Sequence, residues 1–159
     1  MARLAVVIAL VVGCATPGHA AMSPVRKCQA AAASAGRQLL GRSMALLGAC
    51  QRAIGRGVLP AGTDCLTEPA TLAKRTAVAA RSTQRLVRAC TDAAVASLAP
   101  AGDCDGVTTV AALVVCLRTT HEVEAATLIG VADAAEGPLS DAALRCQSKT
   151  SQQARVFAT

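Results

Sequence analysis

Small and apolar residues recur every three or four positions over long stretches of the chain, which is the spacing of one face of an α-helix. The first stripe consists of Cys28, Ala32, Ala35, Leu39, Ser43, Leu46, Cys50 and Ile54. A second stripe with the same spacing consists of Leu72, Thr76, Ala79, Thr83, Leu86 and Cys90. Residues 55–62 between them are rich in Gly and Pro, and Thr67 is expected to cap the second helix. The pattern predicts two long helices joined by a turn.

The apolar runs that follow this pair are shorter. The apolar run at residues 107–117 indicates a short helix. The Thr119-x-x-Glu122 pattern matches a capping box and predicts that a further helix begins there. Ser140 is expected to cap a last helix that reaches about Phe157. Because alternating β-branched residues are few, strands are not expected. We therefore predict an all-α fold, a disulfide-stapled antiparallel helical hairpin plus two or three shorter helices.

This organisation divides the sequence into four segments. We predict a signal peptide, a basic helical hairpin, an acidic short-helix region of the same domain and a terminal helix, at residues 1–20, 21–99, 100–137 and 138–159.

The N-terminal segment has the organisation of a secretory signal. Arg3 precedes a nine-residue apolar run at residues 4–12, which is too short to span a bilayer. We expect cleavage after Ala20. The alternative is that residues 11–14 form a bacterial lipobox, which would leave Cys14 lipidated at the new N-terminus. Either interpretation predicts an exported bacterial protein of the periplasm, cell surface or extracellular space, and membrane association is expected only if Cys14 is lipidated.

Export changes the interpretation of the cysteines, because an oxidising compartment favours disulfides. The chain has 37 alanines and a single aromatic residue, so its core buries little area per residue and bridges are expected to supply much of the stability. No CxxC or CxxCH pattern occurs, which argues against a thioredoxin-type site, a zinc ribbon or attached haem.

The hairpin itself predicts how the cysteines pair. Residues that face each other across an antiparallel hairpin have the same midpoint in the sequence. Of the seven cysteines that follow the predicted cleavage site, the first and fourth have their midpoint near residue 58, and so do the second and third. We therefore predict two nested bridges and a local third one: Cys28–Cys90, Cys50–Cys65 and Cys104–Cys116.

Cys146 is left over, either unpaired or available for an intermolecular bond. A Cys-Gln pair followed eight residues later by Arg occurs at residues 28–37 and again at residues 146–155. This recurrence suggests that the terminal helix is the start of a truncated second repeat. The alternative is a free thiol in an unrelated helix.

The whole layout resembles that of exported cysteine-rich helical repeat proteins of environmental Gram-negative bacteria. The matching positions are the Lys-Cys-Gln, Leu-Leu-x-Ala-Cys, Gly-x-Leu-Pro, Asp-Cys, Arg-Ala-Cys and Cys-Leu motifs at residues 27–29, 46–50, 57–60, 64–65, 88–90 and 116–117, with His121. The resemblance implies an all-α fold and no particular activity.

Charge is strongly segregated along the chain, which the net formal charge of +6 conceals. Residues 22–91 carry eleven Lys or Arg and two acids, whereas residues 92–141 carry one Arg and eight acids. The interpretation we favour is that the acidic part docks on the hairpin, or that copies of the chain self-associate head to tail. The alternative is that the basic hairpin binds an anionic envelope component such as a lipid or polysaccharide. Nucleic acid is not expected, since the chain is predicted to be exported and lacks aromatic residues for base stacking.

Candidate catalytic and metal-binding residues are few. His121 is the only histidine after the predicted cleavage site, and we expect it in the first turn of a helix that begins near Thr119. A zinc site would need three or four ligands, and the thiols near His121 are expected to be oxidised. Glu122 and Glu124 would lie on different helix faces, so they would not form a general acid/base pair. We therefore expect no enzymatic activity, no metal site and no cofactor.

These observations favour a non-catalytic structural or interaction module of the cell envelope. The alternative is a small-ligand or lipid-binding carrier, since stapled helices can enclose an apolar cavity. A metal-binding or redox protein comes third.

Overall fold

The computed structural model describes residues 22–133 and 137–158. These residues form five α-helices and one short 3-10 turn, and they contain no strand. In chain order the helices are α1 (Pro24–Gly55), α2 (Pro69–Ala89), α3 (Asp92–Leu98), α4 (Val110–Asp133) and α5 (Asp141–Ala158). The 3-10 turn, Gly102–Cys104, lies between α3 and α4. The predicted all-α hairpin fold is confirmed.

Helix α1 is the central element, against which α2, α4 and α5 all pack. It begins where Ser23 accepts a hydrogen bond from the backbone N–H of Arg26 (3.3 Å) and Pro24 occupies the first turn. It ends at Gly55, and Gly57 then adopts a φ of 71°, a left-handed conformation that glycine adopts readily. Six of the eight residues in the predicted stripe are buried, and Ala31, Met44 and Leu47 are buried beside them.

Helix α2 begins one residue later than the sequence predicts. Glu68 caps it, and its carboxylate accepts hydrogen bonds from the backbone N–H groups of Ala70 (3.0 Å) and Thr71 (2.7 Å). The Thr71 side chain and these two N–H groups lower the pKa of Glu68. Thr67 instead donates a hydrogen bond to a carboxylate oxygen of Asp64 (3.1 Å), which shapes the turn before the helix.

Three disulfides join the same pairs that the sequence predicts. Cys28–Cys90 and Cys50–Cys65 staple the two ends of the α1–α2 hairpin, and Cys104–Cys116 ties the 3-10 turn to α4. The Cα atoms of Cys28 and Cys90 are 4.6 Å apart, so the start of α1 is held directly against the end of α2.

The region after the hairpin differs from the prediction of two short helices. It contains a short helix, α3, capped by Thr91, followed by one continuous helix of 24 residues, α4. Thr119 opens no new helix, because it lies inside the uninterrupted α4, and the Glu122 carboxylate pairs with Arg75 and Arg118. Helix α4 instead begins after Thr109, whose hydroxyl accepts a hydrogen bond from the backbone N–H of Ala112 (3.2 Å), and Asp92 accepts another from the backbone N–H of Val110 (2.7 Å).

Helix α4 runs parallel to α1. Leu113 packs in one buried cluster with Cys28 and Ala31, and Ile129 packs in another with Ile54. The terminal helix α5, which Ser140 caps as predicted, packs against both α1 and α4. None of the described helices is both long and apolar enough to cross a membrane.

The disulfides provide a test of how this fold is stabilised. The chain-entropy model gives about 4 kcal/mol for the 62-residue separation of Cys28 and Cys90 and about 3 kcal/mol for the 12-residue separation of Cys104 and Cys116. We expect Cys28→Ala/Cys90→Ala to lower the free energy of unfolding more than Cys104→Ala/Cys116→Ala, as measured by urea denaturation of the two variants. A larger loss from the second pair would contradict the central position of the hairpin.

Candidate functional site

Within the described residues, one partly buried ion pair joins the acidic part of the chain to the basic hairpin. Arg75 on α2 is 7% exposed and lies with Nη2 3.3 Å from Oε2 of Glu122 on α4. Its Nη1 also donates to the backbone carbonyl of Leu66 (3.3 Å), and Arg118 reaches the second oxygen of Glu122 (3.1 Å). Arg75, one of the eleven cations in residues 22–91, thus provides the ionic contact with the acidic region, while apolar residues of α4 pack on α1.

Other cations of the hairpin lie on the exposed groove between α1 and α2. Lys74 and Arg81 of α2 line this groove with Arg42 of α1, over a floor that includes Ala45 and Ala77. Arg85 follows one helical turn after Arg81 and donates a hydrogen bond to Ser34 of α1 (2.6 Å). We call Arg42, Lys74, Arg81 and Arg85 the basic face.

The basic face has little neutralising charge near it, although Lys74 interacts electrostatically with Glu68. Within the described residues no salt bridge reaches any of its four side chains. Arg42 also lines the adjoining groove between α1 and α5, where Arg37 and Arg155 join it. Positive charge thus extends along α1 from the groove that it forms with α2 to Arg37 in the neighbouring groove.

A second candidate site is a cleft between α1, α4 and the segment that follows α3. Its volume is about 520 Å³, within the range of about 300–1,000 Å³ that is typical of small-molecule sites. Its lining is mostly aliphatic. We call it the α1–α4 cleft, and the residues that define it include Ala33, Gly36, Leu40, Leu98, Leu113 and Leu117, with Arg37 and His121 as its charged or titratable members.

His121 lies in the interior of α4 and not in a first turn as predicted, because α4 is uninterrupted. Its Nδ1 is 2.9 Å from Oε2 of Glu124, and the ring is 22% exposed. The ring also packs tightly on α1: an added Cβ at Gly36 would lie only 2.6 Å from Nε2 of His121. Gly36 is therefore the residue that lets this imidazole reach the cleft. The helical periodicity of the sequence did not identify this contact, which joins residues 85 positions apart.

The remaining predicted positions have separate locations. Cys146 is an exposed free thiol on α5. Cys14 and the predicted signal lie outside the described residues. Among residues 22–133 and 137–158, no three His, Cys, Asp or Glu side chains are grouped as a metal site would require. Glu122 and Glu124 have different partners, Arg75 and Arg118 for the first and His121 for the second.

No family model, curated protein or solved structure matches this chain.

Two helical glycines test the contact at His121. Gly130 on α4 has open space where a Cβ would lie. We expect Gly130→Ala to raise the free energy of unfolding by about 0.5–1 kcal/mol through its better helix propensity. Gly36→Ala gains the same propensity but must displace the imidazole, and overpacking of this kind costs about 1–3 kcal/mol.

The free energy of unfolding, measured by urea denaturation, should therefore rise for Gly130→Ala and fall for Gly36→Ala. Equal stabilisation by the two substitutions would contradict the close packing of His121 on α1.

Proposed function

We propose that the protein is an exported, non-catalytic interaction module of the cell envelope. The signal-like N-terminus supports export. Three intramolecular disulfides indicate a non-reducing environment, which agrees with that proposal. The resemblance to exported cysteine-rich helical repeats is consistent with the same location but implies no activity.

The observation that carries the proposal is the basic face. Its four cations lie together on α1 and α2. The described ion pair between α4 and the hairpin, Glu122 with Arg75, lies on a different side of α2. An exposed cluster of one sign attracts a surface of the opposite sign and concentrates it near the protein. The partner is therefore an anionic component of the envelope. A second copy of the chain, presenting its acidic α4, is the alternative partner.

Charge reversal on the basic face tests this function. We expect Arg42→Glu/Arg81→Glu to weaken binding to phosphatidylglycerol-containing vesicles at least about tenfold, because each cation near an anionic surface contributes about 1 kcal/mol. Co-sedimentation at several salt concentrations measures the effect, with alginate as a polysaccharide probe in a parallel series.

The matched control is Arg26→Glu/Arg145→Glu, which changes the net charge equally at exposed positions outside the basic face. Equal weakening by both double variants would show that net charge alone governs binding and would overturn the proposed face. If neither probe binds and the protein sediments as a dimer that Arg42→Glu/Arg81→Glu dissociates, the partner is a second copy of the chain.

A second candidate function is a small-ligand carrier, and the α1–α4 cleft is the observation that favours it. Its volume and aliphatic lining suit a small apolar molecule. The third hypothesis, a metal-binding or redox protein, has only Cys146 to support it, since the other six cysteines of the described residues are oxidised in bridges.

A further inference from the structure

The α1–α4 cleft is elongated, because its walls are two parallel helices. Its lining on α1 extends from Gln29 to Leu40, a distance of about 17 Å at 1.5 Å per residue. On α4 the lining residues follow in the same direction, from Leu113 through Leu117 to His121. An elongated cleft of this kind fits a narrow, chain-like molecule better than a round or branched one.

The two ends of the cleft differ in chemistry. Leu113, Gln29 and the loop at residues 98–101 form an uncharged, largely apolar end, whereas Arg37 and His121 lie with Leu40 at the other. Arg37 is exposed, and no described salt bridge neutralises it. A guanidinium at the end of an aliphatic cleft is suited to a carboxylate, which it can bind through two parallel hydrogen bonds.

His121 defines the floor beneath that end. Because Nδ1 lies 2.9 Å from a Glu124 oxygen, this nitrogen carries the proton that the carboxylate accepts, and Nε2 is directed toward Gly36. The Glu124 contact therefore fixes the orientation of the ring. Arg37 remains the cation that is available to a ligand head group.

We propose that the α1–α4 cleft binds a single-chain aliphatic carboxylate, with its tail along Leu113 and Leu117 and its head group at Arg37. This inference rests on the second candidate function, the small-ligand carrier, and specifies which ligand that carrier takes. It is independent of the basic face as tested above, because neither Arg42 nor Arg81 lines this cleft.

Calorimetric titration of the oxidised protein with octanoate, 1-octanol and acetate tests the proposal. Octanoate should bind more tightly than octanol, and acetate should not bind. Along the series hexanoate, octanoate and decanoate, affinity should rise by up to about fourfold per added methylene, the value expected for apolar burial.

Two variants locate the ligand. Arg37→Gln should weaken octanoate binding about tenfold and leave octanol binding unchanged, because only the charge-assisted contact is lost. Ala33→Trp, at an exposed helical position that lines the cleft, should abolish binding of both. Arg26→Gln is the matched control on the same helix outside the cleft, and circular dichroism checks that each variant is folded.

The possible failures are distinct. Equal binding of octanoate and octanol, or equal weakening by Arg37→Gln and Arg26→Gln, would overturn the carboxylate proposal and leave an apolar carrier. If neither ligand binds, or if Ala33→Trp leaves binding unchanged, both the carboxylate proposal and the carrier function fail.

Discussion

The Cys28–Cys90 disulfide holds the first turns of α1 against the end of α2, and α3, α4 and α5 all pack against α1 of that hairpin. Many of the side chains around it are small: Ala31, Ala35 and Ala94 accompany the two cysteines in the same buried cluster, together with Leu86, Val95 and Leu113. The small residues let helices approach closely but bury little apolar area, so each contributes little to stability. Covalent closure of loops reduces the entropy of the unfolded chain instead. The cysteine content thus compensates for the small apolar area that the alanine-rich core buries.

The partly buried ion pair of Arg75 and Glu122 marks one side of the hairpin as the side on which α4 lies. It anchors α4 to α2 and places an acidic helix on one side, while the basic face is exposed on the other. Burial of a charged pair costs desolvation, and here Nε of Arg75 has no hydrogen-bond partner within the described residues. The pair therefore contributes more to the orientation of α4 than to net stability. Through this contact, the acidic and basic parts of the sequence come to lie on opposite sides of the hairpin.

The hairpin was predictable because its signals are local or symmetrical. The antiparallel hairpin is indicated by three such signals. They are the apolar stripes with steps of three and four residues, the Gly- and Pro-rich turn, and the shared midpoint of the nested cysteines. The Thr119-x-x-Glu122 pattern misled because a capping box is also local, and Arg75, 47 residues away, takes the Glu122 carboxylate. The α1–α4 cleft was missed for the same reason. It depends on the approach of His121 to Gly36, which no periodicity within one helix indicates.

Unfolding of the oxidised and the reduced protein, followed by circular dichroism at 25 °C in urea, tests the central claim that bridges and not core area hold this fold. The contributions estimated for the three loops, about 3–4 kcal/mol each, are together comparable with the whole net stability of a domain, about 5–15 kcal/mol. The reduced protein should therefore lose most of its helical signal, or unfold at much lower urea than the oxidised protein. A reduced protein that unfolds cooperatively at nearly the same urea concentration as the oxidised form would contradict the account.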